Sequence, residues 1–121
     1  MVFEVVFIGT CKAPIGRDFA GPVAPQFPVG TAFPLPVGKR VEMGRAKGCA
    51  IFVDSMIVQR HQAALTLKLN GGAGELLVEN LGGGSQVFSD GHYIQDQIRL
   101  GPGCRFELGG MLVFEFRQLT D

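Results

Sequence analysis

The sequence lacks an excess of charge of either sign, with 11 basic residues, 11 acidic residues and a formal net charge of zero at pH 7. Proteins that bind the backbone of DNA or RNA usually carry a basic surplus, so we expect no direct binding to nucleic acid. Long apolar runs are also missing. Because a membrane-spanning helix requires about 20 consecutive apolar residues, we expect no association with a membrane.

Cysteine is scarce, and the three residues Cys11, Cys49 and Cys104 are odd in number and far apart. Small secreted domains usually pair their cysteines, whereas intracellular domains keep them as small apolar residues. The first residues also lack the basic start of a signal peptide. We therefore predict reduced thiols and an intracellular protein, either cytoplasmic or nuclear.

Long helices are excluded by 18 glycines and seven prolines, which interrupt the sequence every few residues. Between these breaks, apolar residues recur with a period of two, which is typical of strands that bury one face. Turn residues that tolerate positive φ stand at 70–72, 90–91 and 109–110. Many short strands joined by such turns predict an all-β sandwich or barrel. The predicted strand segments are residues 3–7, 40–43, 51–53, 65–69, 76–78, 98–100, 106–108 and 112–116.

Two segments are less regular. Residues 59–65 could form a helical turn by propensity, but the alternation that follows favours a strand beginning near Gln62. Residues 9–31 contain four of the seven prolines and alternate poorly, so we predict a Pro/Gly-rich loop or an insertion along a sheet edge. The length of 121 residues fits one domain over residues 1–121, with its core at about 32–117.

The glycine run at residues 82–84 invites comparison with a phosphate-binding loop. Such loops require a lysine and a hydroxyl residue after the last glycine, at the start of a helix. Here a strand-like segment follows Ser85, so we interpret the run as an ordinary tight loop. His61 and His92 are far apart and no two cysteines have metal-ligand spacing, so we predict neither a metal site nor a cofactor.

Four residues with catalytic chemistry are close in sequence: Cys49, Asp54, Ser55 and His61. Catalytic groups are usually brought together by the fold, so short spacing along the chain is not a signature of catalysis. We therefore predict no catalytic residues and no enzymatic activity. Arg45 and Arg60 are more suggestive, because each follows a strand-like run where the chain enters a loop. A guanidinium at such a place can hold a phosphate through two parallel hydrogen bonds.

The order of these segments resembles the forkhead-associated (FHA) domain family. The resemblance covers about residues 32–117 and rests on order and spacing together. It implies an all-β sandwich of the FHA (SMAD/FHA-like) type, with short strands and binding loops at one end. The matching segments are residues 41–45 (Val-Glu-Met-Gly-Arg), 49–54 (Cys-Ala-Ile-Phe-Val-Asp), 58–63 (Val-Gln-Arg-His-Gln-Ala), 77–88 (Leu-Val-Glu-Asn-Leu-Gly-Gly-Gly-Ser-Gln-Val-Phe) and 100–109 (Leu-Gly-Pro-Gly-Cys-Arg-Phe-Glu-Leu-Gly).

FHA domains bind phosphothreonine peptides through the Gly-Arg arginine, a serine after a valine, and an asparagine in a later loop. The resemblance therefore implies a binding site at Arg45, Gln59, Arg60, Gly84 and Ser85. Two family positions differ here, because Gln59 stands in place of the serine and Ser85 in place of the asparagine. Glutamine can donate a hydrogen bond, but from a longer side chain.

A third difference concerns the interior, because Gln62 stands where the family has a structural histidine and His61 falls on a variable position. We predict a protein-interaction module that binds a protein partner, or a second copy of itself, with its dependence on phosphate left open. The alternative is a phosphothreonine-peptide reader of altered specificity. An enzyme of unknown reaction is the least favoured hypothesis.

Overall fold

The computed structural model describes residues 2–11, 24–82 and 87–119. All of the regular secondary structure in these residues consists of strands. The eleven strands are short, as the density of glycine and proline predicts. In chain order they are β1 (Val2–Thr10), β2 (Ala32–Pro34), β3 (Arg40–Gly44), β4 (Ile51–Phe52), β5 (Ala63–Asn70), β6 (Ala73–Asn80), β7 (Val87–Ser89), β8 (His92–Tyr93), β9 (Gln97–Leu100), β10 (Arg105–Leu108) and β11 (Leu112–Leu119).

The strands form two sheets that pack face to face. The six-stranded sheet has the order β2-β1-β11-β10-β7-β8, and the five-stranded sheet has the order β4-β3-β5-β6-β9. Neighbouring strands are antiparallel except β3 and β4, which are parallel. This arrangement confirms the predicted β-sandwich. No helix in the part of the chain that the structure describes is long and apolar enough to span a membrane.

The core lies between the sheets and is built by alternation along each strand. In β11, Leu112, Phe114 and Phe116 are fully buried, whereas Val113 and Glu115 between them are only partly buried. The ring of Phe114 stacks on that of Phe106, with centroids 5.7 Å apart. Burying one such ring stabilises the fold by about 1.5–3 kcal/mol, so these apolar positions hold the sheets together. The opposite sheet contributes Met43, Leu65, Leu67, Leu76 and Val78.

Tight hairpins connect neighbouring strands where the sequence predicts turns. Gly71 and Gly72 have φ of 58° and 88° between β5 and β6. Asp90 and Gly91 have φ of 51° and 77° between β7 and β8. Positive φ at both central residues defines the turn whose twist matches that of the flanking strands. The two hairpins therefore fix the register of their strands.

Seven of the eight predicted strand segments lie entirely in strands, and the eighth, residues 51–53, extends one residue beyond β4, which ends at Phe52. Residues 59–62 form a loop and turn before β5, without a helix. The strand predicted to begin near Gln62 is confirmed, because β5 begins at Ala63. The predicted boundary at residue 9 is wrong, because β1 continues to Thr10. A register shift between Phe7 and Gly9 explains the broken alternation. Most of the proline-rich segment, residues 12–23, lies outside the described residues.

Residues 24–31 lie along the edge of the sandwich and contact both sheets. The ring of Phe27 packs edge-on against Phe7 of β1, with centroids 5.3 Å apart. The side chain of Gln26 donates a hydrogen bond to the carbonyl of Phe52 at 2.8 Å and accepts one from the amide of Asp54 at 2.8 Å. This segment therefore ties the end of β4 to the six-stranded sheet.

Candidate functional site

The candidate site begins at the end of β3, where Gly44 and Arg45 enter a loop. Three main-chain hydrogen bonds hold that end against residues 59–62. The amide of Arg45 donates to the carbonyl of Gln59 at 2.9 Å, and that of Ala46 donates to the carbonyl of Arg60 at 3.0 Å. The amide of Gln62 donates to the carbonyl of Met43 at 2.9 Å. These three bonds, here called the 43–62 seam, bring Arg45 and Arg60 to the same end of the sandwich.

Gly44 allows the two segments of the seam to approach this closely. A Cβ atom at Gly44 would lie 2.2 Å from the carbonyl oxygen of Arg60 and 3.0 Å from that of Gln59. Both distances are shorter than an ordinary van der Waals contact. Glycine is therefore required at this point by the approach of a neighbouring backbone rather than by a left-handed φ.

Gln62 fixes the loop of Gln59 through hydrogen bonds. Its side chain is fully buried, and its Oε1 accepts a hydrogen bond from the amide of Gln59 at 3.1 Å. Its carbonyl accepts a hydrogen bond from the amide of Leu81 at 3.0 Å. Since Leu81 follows β6, Gln62 connects the loop of Gln59 to the neighbouring part of the five-stranded sheet. Gln62 therefore has a structural role in this fold.

An open pocket of about 460 Å³ lies over the seam and is lined by Arg45, Gln59, Arg60 and His61. The side chains of all four residues are exposed. Among the described residues, no carboxylate lines the pocket, and neither guanidinium forms a salt bridge. The pocket therefore carries positive charge that is available to an anion.

The guanidinium of Arg45 has a fixed direction. Its Nε donates a hydrogen bond to the carbonyl of Val58 at 3.2 Å, which leaves the two terminal nitrogens for a ligand. Because the side chain is already ordered, less conformational entropy is lost when a ligand binds. A phosphate or carboxylate could then accept parallel hydrogen bonds from the terminal nitrogens.

The structure brings together three of the five predicted site residues, Arg45, Gln59 and Arg60. Gly84 and Ser85 lie outside the described residues. Sequence reasoning missed His61 as a pocket residue, because it occupies a variable position of the family pattern. Its place directly after Arg60 on an exposed loop was the available signal.

A second cluster lies beside the pocket and consists of Glu42, Cys49 and His61, whose ligand atoms all lie within 4.8 Å of one another. His61 Nδ1 is 3.2 Å from a carboxylate oxygen of Glu42 and 3.9 Å from Cys49 Sγ. Burial, and then the negative charge of Glu42, raises the pKa of the Cys49 thiol. This is the opposite of the shift that a nucleophilic cysteine requires.

Asp54 and Ser55, the other residues considered for catalysis, do not line the pocket. Asp54 is exposed, and its amide binds Gln26. Ser55 is buried, with 3% of its surface exposed. The carboxylate of Asp54 is not part of the cluster of Glu42, Cys49 and His61.

Comparison with known proteins agrees with this architecture. The chain is similar in structure to the FHA domain of CT664 from Chlamydia trachomatis, at 20% identity over 99% of this chain and 100% of that one, with a TM-score of 0.70. It is also similar to the FHA domain of an Arabidopsis thaliana hypothetical protein, at 15% identity over 99% and 87% of the two chains, with a TM-score of 0.69.

A third similar structure is Mycobacterium tuberculosis EmbR in complex with a low-affinity phosphopeptide, at 19% identity and a TM-score of 0.65. The match covers 96% of this chain and 24% of EmbR, so this chain corresponds to one part of that longer protein. A search of curated protein sequences gave no significant match.

The family profile of the FHA domain matches residues 41–109, more than half of the chain. The matched segment includes the end of β3, the 43–62 seam and the four residues that line the pocket. The chain therefore belongs to the FHA domain family, whose members are protein-interaction modules that bind phosphopeptides.

Proposed function

We propose that this protein binds a phosphorylated segment of a protein partner in the pocket formed by Arg45, Gln59, Arg60 and His61. The observation that carries the proposal is the convergence of two guanidinium groups, free of carboxylate partners among the described residues, on one open pocket. A phosphate at neutral pH carries a charge of about −1.5 to −2 and several strong acceptor oxygens. It therefore matches the charge and the donors of this pocket.

Arg45 is assigned the main contact with phosphate. Its Nε is bound to the carbonyl of Val58, so its terminal nitrogens are presented in a fixed plane. Arg60 adds charge from the other side of the seam, since its carbonyl is held by the amide of Ala46 while its side chain remains exposed. Charge-assisted hydrogen bonds from these groups contribute about 1.5–3 kcal/mol each.

Gln59 is assigned a supporting hydrogen bond. Its amide side chain is exposed at the pocket, while its backbone is fixed from both sides, by Arg45 and by Gln62. The side-chain amide has two N–H donors, so it can replace a serine hydroxyl as a donor to phosphate. Its greater length would place the phosphate farther from the backbone of β3, which is the expected source of altered specificity. Ser85, and Gly84 before it, complete the proposed site by resemblance to the family.

The proposed action is recognition of a partner without chemical change. Burial raises the pKa of the Cys49 thiol, which is the opposite of the shift that a nucleophilic cysteine requires. Family membership supports the same conclusion, because FHA domains are interaction modules. Because FHA domains bind phosphothreonine peptides, the expected ligand is a partner protein that carries phosphothreonine.

The test is a phosphothreonine peptide library, with each selected peptide compared against its unphosphorylated form by isothermal titration calorimetry. Arg45→Ala should weaken binding of the phosphorylated peptide by at least about tenfold, which corresponds to one lost charge-assisted contact. The matched control is Arg99→Ala, which removes an exposed charge from β9, outside the pocket, and should bind like the wild type.

Two results would contradict the proposal. Equal affinity for phosphorylated and plain peptides would show that the protein recognises its partner without reading phosphate. Equal affinity of the wild type and Arg45→Ala for a phosphopeptide would place the phosphate site elsewhere on the surface.

A further inference from the structure

We propose that Glu42, Cys49 and His61 form a binding site for a divalent metal ion of the zinc type, next to the phosphate pocket. The three residues lie on three different elements: β3, the loop of residues 45–50, and the loop before β5. One carboxylate, one thiol and one imidazole are a ligand set that Zn²⁺ favours. The sequence predicts no metal site, because its ligand spacing is not that of any short motif.

The distances already approach those of a tetrahedral site. With metal–ligand bonds of about 2.0–2.3 Å, neighbouring ligand atoms of a tetrahedral zinc ion lie about 3.3–3.7 Å apart. His61 Nδ1 lies 3.2 Å from Glu42 Oε2 and 3.9 Å from Cys49 Sγ. The remaining separation, between the thiol and the carboxylate, is at most 4.8 Å. Small side-chain rotations would bring all three atoms to bonding distance.

The backbone beneath the cluster is held in place. The amide of Cys49 donates to the carbonyl of Ala46 at 3.0 Å, and the Cys49 thiol lies 3.4 Å from the carbonyl of Arg60. Cys49 is itself buried, whereas the side chains of Glu42 and His61 are 36% and 57% exposed. The buried ligand is therefore fixed, and the two exposed ligands are the ones free to close around an ion.

The surroundings also support a metal ion. Arg40 Nη1 lies 3.4 Å from the second oxygen of Glu42 and orients the carboxylate, as outer-shell partners of metal ligands do. A thiolate and a carboxylate together balance the charge of a divalent cation. The exposure of Glu42 and His61 leaves a fourth coordination position open to water or to a ligand.

Binding exchanges a proton for the metal. Zinc binds cysteine as the thiolate, so the thiol proton of Cys49 has to leave on binding. When Zn²⁺ binds, the S–H bond breaks, a sulfur–zinc bond forms with the same electron pair, and the proton passes to the buffer. Titration in buffers of different ionisation enthalpy should therefore show the release of about one proton per zinc ion at pH 7.5.

The test is isothermal titration of the chelator-stripped protein with Zn²⁺ alone, repeated with Co²⁺ to detect a thiolate-to-metal charge-transfer band. One equivalent should bind, and Cys49→Ser, His61→Gln and Glu42→Gln should each weaken binding at least about tenfold. The Co²⁺ band should disappear in Cys49→Ser. Controls are Cys104→Ser and His92→Gln, which remove exposed ligands outside the cluster and should bind like the wild type.

His61→Gln keeps the test decisive if Cys49→Ser fails to fold, because His61 is exposed and its loss leaves the core intact. The proposal is overturned if the wild type binds no Zn²⁺ at the concentrations of the titration. It is also overturned if His61→Gln binds as tightly as the wild type, or if binding is lost in Cys104→Ser or His92→Gln. None of these outcomes depends on whether the protein binds phosphopeptides.

Discussion

Replacing Gly44 with alanine tests whether the seam that builds the pocket depends on close backbone contact. The new methyl group would lie 2.2 Å from the carbonyl oxygen of Arg60 and 2.8 Å from its carbonyl carbon. Both are main-chain atoms, so no side-chain rotation can relieve the contact. The end of β3 and residues 59–60 must therefore move apart.

The magnitude follows from the same geometry. Restoring an ordinary contact requires a separation of about 1 Å. The hydrogen bonds from Arg45 to Gln59 at 2.9 Å and from Ala46 to Arg60 at 3.0 Å cross this gap. Both would be stretched beyond the usual range of hydrogen-bond lengths. With about 0.5–1.5 kcal/mol lost for each bond, and strain in addition, Gly44→Ala should destabilise the fold by about 2–3 kcal/mol.

Thermal and urea unfolding of the variant would measure this loss. A domain of about this size should melt on the order of 10 °C lower for such a destabilisation. The matched control is Gly48→Ala, because a Cβ at Gly48 has no neighbour within 4 Å and its φ is not left-handed. The control should be neutral or slightly more stable, since alanine restricts the unfolded chain. Equal stability of the two variants would refute the argument that Gly44 is required by the seam.

Two further predictions concern the six-stranded sheet and the core. Burial, and then the charge of Asp90, raises the pKa of Glu107 above its ordinary value of 4.5, so this carboxylate favours unfolding as pH rises through the raised value. Glu107→Gln should remove that contribution. In urea unfolding measured from pH 4 to pH 7, the free energy of unfolding of the variant should increase relative to that of the wild type. A relative decrease would contradict this prediction. Gly74→Ala would place a methyl 2.1 Å from the buried ring of Phe3 and should cost about 1–3 kcal/mol in thermal unfolding, unlike Gly101→Ala, which meets no neighbour within 4 Å.

The fold could be predicted from the sequence because its determinants are local. Alternation at Leu112, Phe114 and Phe116 places one face of β11 in the core, and no distant residue is needed to see it. Turns can also be predicted from local sequence, since Gly71 and Gly72 adopt the positive φ that a two-residue hairpin requires. Local signals of this kind recur along the chain and agree with one another, so the sandwich is strongly specified.

The edges of the sandwich could not be predicted, because their contacts are distant in sequence. Strand β2 is only three residues long and ends in Pro34, so it has no alternation to recognise. Its place beside β1 depends on pairing with residues 4–6. For residues 24–31 the sequence predicts a loop or an insertion along a sheet edge, but it does not show that Phe27 packs against β1 or that Gln26 binds the end of β4. Only the folded structure shows these partners.

Part of the candidate site could be predicted, because some of its residues follow local sequence signals. Arg45 and Arg60 could be paired because both follow strand-like runs, and the family pattern places them at one end of the fold. The cluster of Glu42, Cys49 and His61 could not be predicted from the sequence, since it joins a strand residue to two separate loops. Its ligand atoms meet only because the seam fixes the three backbones next to one another.

The seam also explains how this site can differ from the family pattern while the fold is retained. Its hydrogen bonds join main-chain atoms of Arg45, Gln59 and Gln62 to their partners, and none uses the exposed side chains at 59, 60 and 61. The seam residues that packing constrains are Gly44 and the buried Met43, Ala46 and Gln62. Substitution at the exposed positions would therefore alter the chemistry of the pocket at little cost in stability. For this reason the fold alone does not determine the ligand, and the chemistry of Gln59, Arg60 and His61 has to be tested directly.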